Sequence, residues 1–298
     1  MTNTPPNYSA SRELSIGEVI ETTFSMYQRD FSKYLPLFLV VGAITGILNY
    51  IVALFIVLPR MPVNATAQQL ISFFPGYFVA LAELLLALSV ITITFYPITL
   101  GSAIKIASDR IERGQSSLGA AIKVAASKLL SIWALSIIVG LIVIAGIIAL
   151  IVPGIILAIM FSLSYPVLII ENKSVAESIG RSRLLVSHRW GKTLGCFIVI
   201  GIIAYIASAI IGLASLPFGT LSPIIRGVLS AFVQPWYPIL LTVYYYSMVA
   251  RTNPPPLRPI TPGPYATPQM GMKFCIECGT PMMSASMICP KCGMTQPA

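Results

Sequence analysis

The chain has 298 residues, of which 56% are hydrophobic and only 10% charged, and its mean hydropathy is +0.84. A soluble domain carries about 25% charged residues, so this much apolar surface exceeds what one globular core can hide and excludes the ordinary soluble class. The net charge of +9 would point to nucleic acid in a soluble protein. In a membrane protein it points to Lys and Arg in cytoplasmic loops, and nucleic acid is disfavoured as a partner.

In chain order, residues 1 to 14 are polar, carry Pro5 and Pro6, and read as a disordered N-terminus. No apolar run follows a basic start there, so no cleavable signal peptide is expected. A six-span membrane domain is expected over residues 15 to 251. Ser15 to Ser32 has helical periodicity, and Tyr34 to Leu58 is a first span without a charge. Pro59 to Pro75 reads as a loop with a short helix near Ala67 to Ser72. A second span follows Pro75-Gly76 and reaches about Ile104, continuing as polar helix to Arg113. Ser117 to Lys128 is a surface helix and Leu129 to Ile151 a third span. Pro153-Gly154 predicts a tight turn, because both residues interrupt helices. Ile155 to Ile170, Thr193 to Leu216 and Val228 to Ala250 complete the six. All but the fourth exceed the roughly 18 residues that a crossing needs.

All Lys and Arg residues except Arg60 and Arg226 fall in the N-terminal arm, in the loops at 105–128 and 171–192, or in the C-terminal tail. That bias places both termini in the cytoplasm of a multi-pass cell-membrane protein, with the lipid bilayer as its first partner.

The spans are organised by an internal repeat. When Ser15, Ser117 and Ser174 are aligned, apolar or small residues coincide at Ile16/Leu118/Val175, Ile20/Ile122/Ile179, Thr23/Ala125/Ser182 and Tyr27/Leu129/Val186. An aromatic follows at Phe31/Trp133/Trp190. These offsets trace one face of an α-helix. The first and third copies also share Glu18/Glu177, Lys33/Lys192, Phe38/Phe197 and Gly42/Gly201. Ser15-x-x-Glu18 and Ser174-x-x-Glu177 are capping boxes, in which each side chain satisfies a backbone N–H of the first turn. The second span of each unit carries Tyr-Pro before a β-branched residue: Tyr96-Pro97-Ile98, Tyr165-Pro166-Val167 and Tyr237-Pro238-Ile239. Proline removes a helical hydrogen bond and bends the helix. In lipid the freed carbonyl needs another partner, so the bends should face protein or water. The fold class is therefore an all-α integral membrane protein of six transmembrane helices in three repeated units, each a surface helix, a span and a Pro-kinked span.

SIGEVIETTFSMYQRDFSKYLPLFLVVG, together with Pro153-Gly154, Tyr165-Pro166, Glu171, Ser178 and Arg181-Ser182 before Trp190-Gly191-Lys192, resembles the membrane domain attached to some glycerophosphoryl diester phosphodiesterases and related stand-alone multi-span families. The resemblance covers roughly residues 15 to 250 and implies an architecture. That family's chemistry belongs to a soluble barrel with metal-binding carboxylates and catalytic histidines. This chain has one His and no such stretch, so no enzyme activity is expected.

Residues 252 to 272 hold seven prolines in 21 residues, an extended semi-rigid linker. Behind it, residues 273 to 298 carry Cys275-x-x-Cys278-Gly279 and Cys289-x-x-Cys292-Gly293. Two such pairs offer four thiolates, the ligand set of a closed structural Zn²⁺ site. Gly after the second Cys allows the positive φ that turns the backbone around a metal. A segment this short cannot fold on its core alone, so one structural Zn²⁺ is expected on Cys275, Cys278, Cys289 and Cys292. Two disulfides and a rubredoxin-like iron site are the alternatives. A cytoplasmic tail disfavours the first, and the short spacing between pairs disfavours the second. The segment resembles the zinc ribbons at the ends of many prokaryotic proteins.

Other candidates are weaker. Glu83 is the only acidic residue inside a span, a functional position by default in a bilayer, although snorkelling to the outer interface explains it as well. His188 reads as solvated or headgroup-facing, and Cys196 as a small buried apolar residue. Asn64-Ala65-Thr66 is a sequon on the outer side. Arg181, Arg183, Arg189 and Lys192 suit either lipid headgroups or ordinary positive-inside duty. The expected role is a non-enzymatic scaffold or regulatory protein whose ribbon recruits a protein partner. The alternative is a transporter or lipid-handling protein using the kinked helices. A water-filled cavity lined by Tyr96, Tyr165, Tyr237 and Glu83 would favour the alternative, and a packed dry centre the scaffold. The identity of any small-molecule ligand is not legible.

Overall fold

The structure is a computed structural model, and it describes residues 12–59, 66–252, 272–283 and 286–295. The N-terminal residues 1–11, Asn64-Ala65 of the sequon and most of the Pro-rich linker lie outside the described residues. The chain forms two compact units, Met1–Pro254 and Pro255–Ala298.

The first unit is helical. In order, α1 is Ile16–Arg29, α2 Phe31–Phe55, α3 Ala67–Arg113, α4 Leu118–Ser127, α5 Leu129–Ala149 and α6 Ile151–Phe161. Then come α7 Ser164–Ile170, α8 Val175–Val186, α9 Trp190–Ser215, α10 Ser222–Ser230 and α11 Trp236–Thr252. Among the described residues, five stretches are long and apolar enough to cross a membrane: Phe31–Phe55, Ala67–Arg113, Leu129–Ala149, Ile151–Ile170 and Trp190–Ser230.

Both expected capping boxes form. Ser15 and Glu18 cap α1, and Ser174 and Glu177 cap α8. Ser117 precedes α4 without a side-chain cap. A further box, Thr66 with Gln69, starts α3. That helix then runs without interruption through Pro75-Gly76, so the expected start of the second span after Pro75-Gly76 moves back to Ala67. The cap satisfies the first-turn donors well before the proline, and the helix is already established when it arrives.

The Tyr-Pro pairs behave in two ways. In α3, Pro97 sits inside a continuous helix, and the carbonyl it leaves free is taken by a side chain of α5. In the other two, the helix breaks before the pair. α6 ends at Phe161 and α7 opens at Ser164, with Tyr165-Pro166 in its first turn; α11 opens at Trp236, just before Tyr237-Pro238. Proline suits a first turn because its missing N–H has no intrahelical acceptor there. Pro153-Gly154 follows the same rule: the break falls at Leu150, which is extended, and Pro153 lies in the first turn of α6. Gly154 is needed for the close approach, since a Cβ there would meet the Ile147 nitrogen at 2.7 Å.

The core lies at one end of the unit. The apolar window of α3 is 0% buried, whereas Thr99 to Asp109 of the same helix are almost entirely buried, Lys105 excepted. The helices α4, α7 and α11 pack on α3, and α1 and α8 pack in turn on α11. Val19, Met26, Tyr34, Leu100, Ile104, Leu163 and Tyr244 are among the buried residues of this core.

Three successive tyrosines of α11 reach three different neighbours. Tyr244 shares a 2.7 Å hydrogen bond with Thr193 of α9, Tyr245 donates to Glu171 after α7, and Tyr246 contacts Ser108 of α3 at 2.9 Å. A helix buried on all sides needs large side chains with a polar tip, and tyrosine provides both. At 17 residues, α11 is short for a crossing, so the expected sixth span, Val228 to Ala250, is divided between α10 and α11.

Residues 12–14, expected with the N-terminal arm, are tied down. The Leu14 N–H donates to Ser247 Oγ at 2.8 Å, and Glu13 pairs with Lys192 at 2.6 Å and with Arg189 at 3.2 Å.

The second unit holds an antiparallel pair, β1 Met272–Phe274 and β2 Pro281–Met283, with Lys273 opposite Met282. An isolated bridge joins Ile288 to Thr295. Buried Cys275, Met282 and Cys289 form its small core.

Candidate functional site

Two places in the described residues have the geometry of a site. The first is a cavity of about 1120 Å³ in the helical unit. Its walls come from α2, α3, α6, α9, α10 and α11, and most of its lining is apolar, including Leu88, Ile91, Ile155 and Phe197. It is larger than the roughly 300–1,000 Å³ of ordinary small-molecule pockets.

Two of the walls, α2 and α10, pack closely on each other. Gly42 and Gly46, four residues apart, let the two backbones approach until a Cβ on Gly42 would lie 2.3 Å from the Gly227 carbonyl oxygen. This is the small-x-x-x-small contact of membrane helices. Gly201 of α9, aligned with Gly42 in the repeat, has nothing within 4 Å of its missing Cβ and lines the cavity. One copy of the glycine is covered by a helix, and the other faces open space.

The Tyr-Pro tyrosines divide. Tyr96 and Tyr237 line the cavity. Tyr165 does not; it donates to Ser136 Oγ at 3.1 Å. Glu83 is exposed and not part of the lining, because it lies on a different face of α3 from Leu84, Leu88 and Ile91. The expected four-residue set is therefore brought together only as the pair Tyr96 and Tyr237.

The basic residues before and at the start of α9 serve mainly as internal partners. Arg181 pairs with Glu171 at 3.2 Å, and Arg189 and Lys192 pair with Glu13. Arg183 is exposed. His188 has a φ of 61°, which few non-glycine residues adopt. Cys196 is buried within α9. Between α1 and α2, Asp30 is 1% exposed and pairs with Arg110 and with Lys33 at 2.8 Å. Burial pushes its carboxyl up, but the hydrogen bonds and charges of Arg110 and Lys33 outweigh that and hold it below the ordinary carboxylate value.

The second place is the cysteine cluster. The sulfurs of Cys275, Cys278, Cys289 and Cys292 all lie within 4.8 Å of one another. Cys275 and Cys292 are 3.6 Å apart, as are Cys278 and Cys289. A tetrahedral ion with arms of about 2.3 Å needs sulfurs about 3.8 Å apart, and a disulfide needs about 2.05 Å, so the spacing fits a metal. The two knuckles share one backbone design. Gly279 N–H donates to the Cys275 carbonyl and Gly293 N–H to the Cys289 carbonyl, each at 2.9 Å. Both glycines have positive φ, 65° and 73°. Hydrogen bonding from the side chain and backbone of Thr280 holds the Cys278 thiol below its ordinary value, whereas at Cys292 a backbone hydrogen bond from Met294 is outweighed by burial and the neighbouring cysteines, which push the thiol up.

Comparison of the chain with known protein families, with curated proteins and with solved structures finds no match.

Of the cavity lining, the sequence points to Tyr96 and Tyr237 but not to the contribution of α2, α9 and α10. A further local trace is Gly42-x-x-x-Gly46, which marks where a second helix can come close. Which neighbour arrives, and what space is left beside it, depends on the whole packing.

Proposed function

We propose that this protein is a multi-pass cell-membrane protein that holds a membrane amphiphile in the cavity beside α9. In this reading α2, α3, α5, the α6–α7 pair, α9 and the α10–α11 pair are six crossings. They form three repeats of surface helix, span and Pro-bearing span, with both termini in the cytoplasm. The architecture is the one implied by the resemblance to the phosphodiesterase-associated membrane domain, without its enzyme. The observation that carries the reading is the large, mostly apolar cavity lined by Tyr96 and Tyr237. A packed dry centre would have favoured a pure scaffold.

Photo-crosslinking tests it. A phospholipid with a diazirine on its acyl chain should label Leu88, Ile155 or Phe197 of the full-length protein in bilayers. Labelling confined to outward residues such as Leu141 and Ile148 would count against it.

The cysteine cluster is read as a structural zinc ribbon that recruits a protein partner. A specific observation favours this second role: Phe274 is 70% and Ile276 73% exposed, and Met283 and Met287 of the same unit are exposed too. So apolar a surface on so small a unit suits protein contact. Affinity purification with and without residues 252 to 298 tests it; an unchanged set of partners would count against recruitment.

A further inference from the structure

We propose that the amphiphile is an anionic phospholipid whose phosphate is held by Arg226, in α10. This rests on the cavity reading above and adds the chemistry of the headgroup.

Among the described residues, Arg226 is the one Lys or Arg in the cavity lining, and no Asp or Glu lines it. It makes no ion pair among the described residues. Its guanidinium lies along α9, where a Cβ on Gly212 would be 3.4 Å from Nη2. Arg226 is exposed at the edge of the cavity, so its guanidinium is free to meet an anionic group of a bound amphiphile. Guanidinium presents a fixed fork of donors that matches phosphate oxygens two at a time.

A second group points to the same ligand. Asn49 lines the cavity, and its Oδ1 is buried without a donor. It sits three residues beyond Gly46, whose own missing Cβ would touch the backbone of Pro223 and Ile224. Asn49 therefore lies one turn along the face of α2 that packs on α10. An unpaired buried acceptor is costly, and a headgroup hydroxyl would satisfy it. The phosphate then meets Arg226, the hydroxyl meets Asn49, and the acyl chains lie against Leu88, Ile91 and Ile155. The ligand class is a phospholipid with a hydroxyl-bearing headgroup, such as phosphatidylglycerol.

The test measures binding of defined lipids to the full-length protein in mild detergent, by native mass spectrometry. Wild type should bind phosphatidylglycerol about tenfold more tightly than phosphatidylcholine, and Arg226→Gln should lose that preference. Arg226→Lys, which keeps the charge, should retain part of it. Asn49→Ala should weaken phosphatidylglycerol severalfold and leave phosphatidylmethanol, which has the same charge and no hydroxyl, unchanged. Oleate and free glycerol phosphate should compete poorly, the first lacking phosphate and the second lacking chains. If Arg226→Gln binds as wild type while Gly201→Trp, which fills the cavity, binds neither lipid, the headgroup assignment is overturned and the cavity reading stands. If Gly201→Trp also binds as wild type, both fall.

Discussion

The indole N–H of Trp133 donates to the backbone carbonyl of Ile93 at 2.7 Å. Ile93 lies four residues before Pro97, so its carbonyl is the one that the proline leaves without an intrahelical donor. The side chain of one helix thereby completes the backbone bonding of another, where lipid could not. Trp133→Phe keeps most of the ring and removes the donor. It should lower the stability of the purified protein by about 1 kcal/mol, read as a lower melting temperature in detergent. An unchanged melting temperature would show that the bond contributes nothing.

The α2–α10 contact makes a sharper prediction. Gly227→Leu puts side-chain atoms where a Cβ alone would already lie 2.3 Å from the Gly42 carbonyl oxygen. The backbone cannot yield as a flexible side chain would, so the cost should reach or exceed about 3 kcal/mol. The variant should fail to purify as a monodisperse species. Gly140→Ala, with nothing within 4 Å, should purify as wild type. Equal behaviour of the two would contradict the packing described.

Asp30 links stability to pH. Its carboxyl is held below the ordinary value, so the stabilisation is fully present above the unfolded value of about 3.9 and is lost as pH falls through the lower folded value. Asp30→Asn leaves Arg110 and Lys33 without their shared anion and should cost about 3 kcal/mol at neutral pH. The gap in melting temperature between wild type and variant should be full at pH 7 and close below about pH 4. A gap that is unchanged between neutral and strongly acidic solution would show that the ion pairs are not its source.

The cysteine cluster should bind one Zn²⁺ per full-length chain, with Zn–S distances of about 2.3 Å by X-ray absorption. Cys278→Ser should lose the metal and leave membrane insertion intact, whereas Cys196→Ser should keep it. A wild-type protein without metal, or one whose metal survives Cys278→Ser, would refute the assignment.

Local signals were legible in the sequence. The capping boxes at Ser15 and Ser174 and the two cysteine knuckles depend only on residues a few positions apart, and each stands where spacing predicts. Breaks set by competition between signals were less so. Pro75-Gly76 reads as an interruption, but Thr66 and Gln69 start the helix far enough upstream for it to continue through. The repeat alignment places Trp133 with Phe31 and Trp190. Yet α2 and α9 begin at those aromatics, whereas α5 begins at Leu129, so Trp133 falls in its second turn, where it can reach Ile93. The role of Tyr244 to Tyr246 required knowing that α11 is surrounded.

Filling the cavity tests most directly whether it holds lipid. Gly201 has open space before its missing Cβ, so Gly201→Trp should project into the cavity without disturbing the helices. Lipid retained by the purified full-length protein would be counted by native mass spectrometry for wild type and variant. Wild type should carry bound phospholipid, and Gly201→Trp, with an unchanged melting temperature, should have lost it. Equal retention by both, or none by wild type, would contradict lipid binding in the cavity.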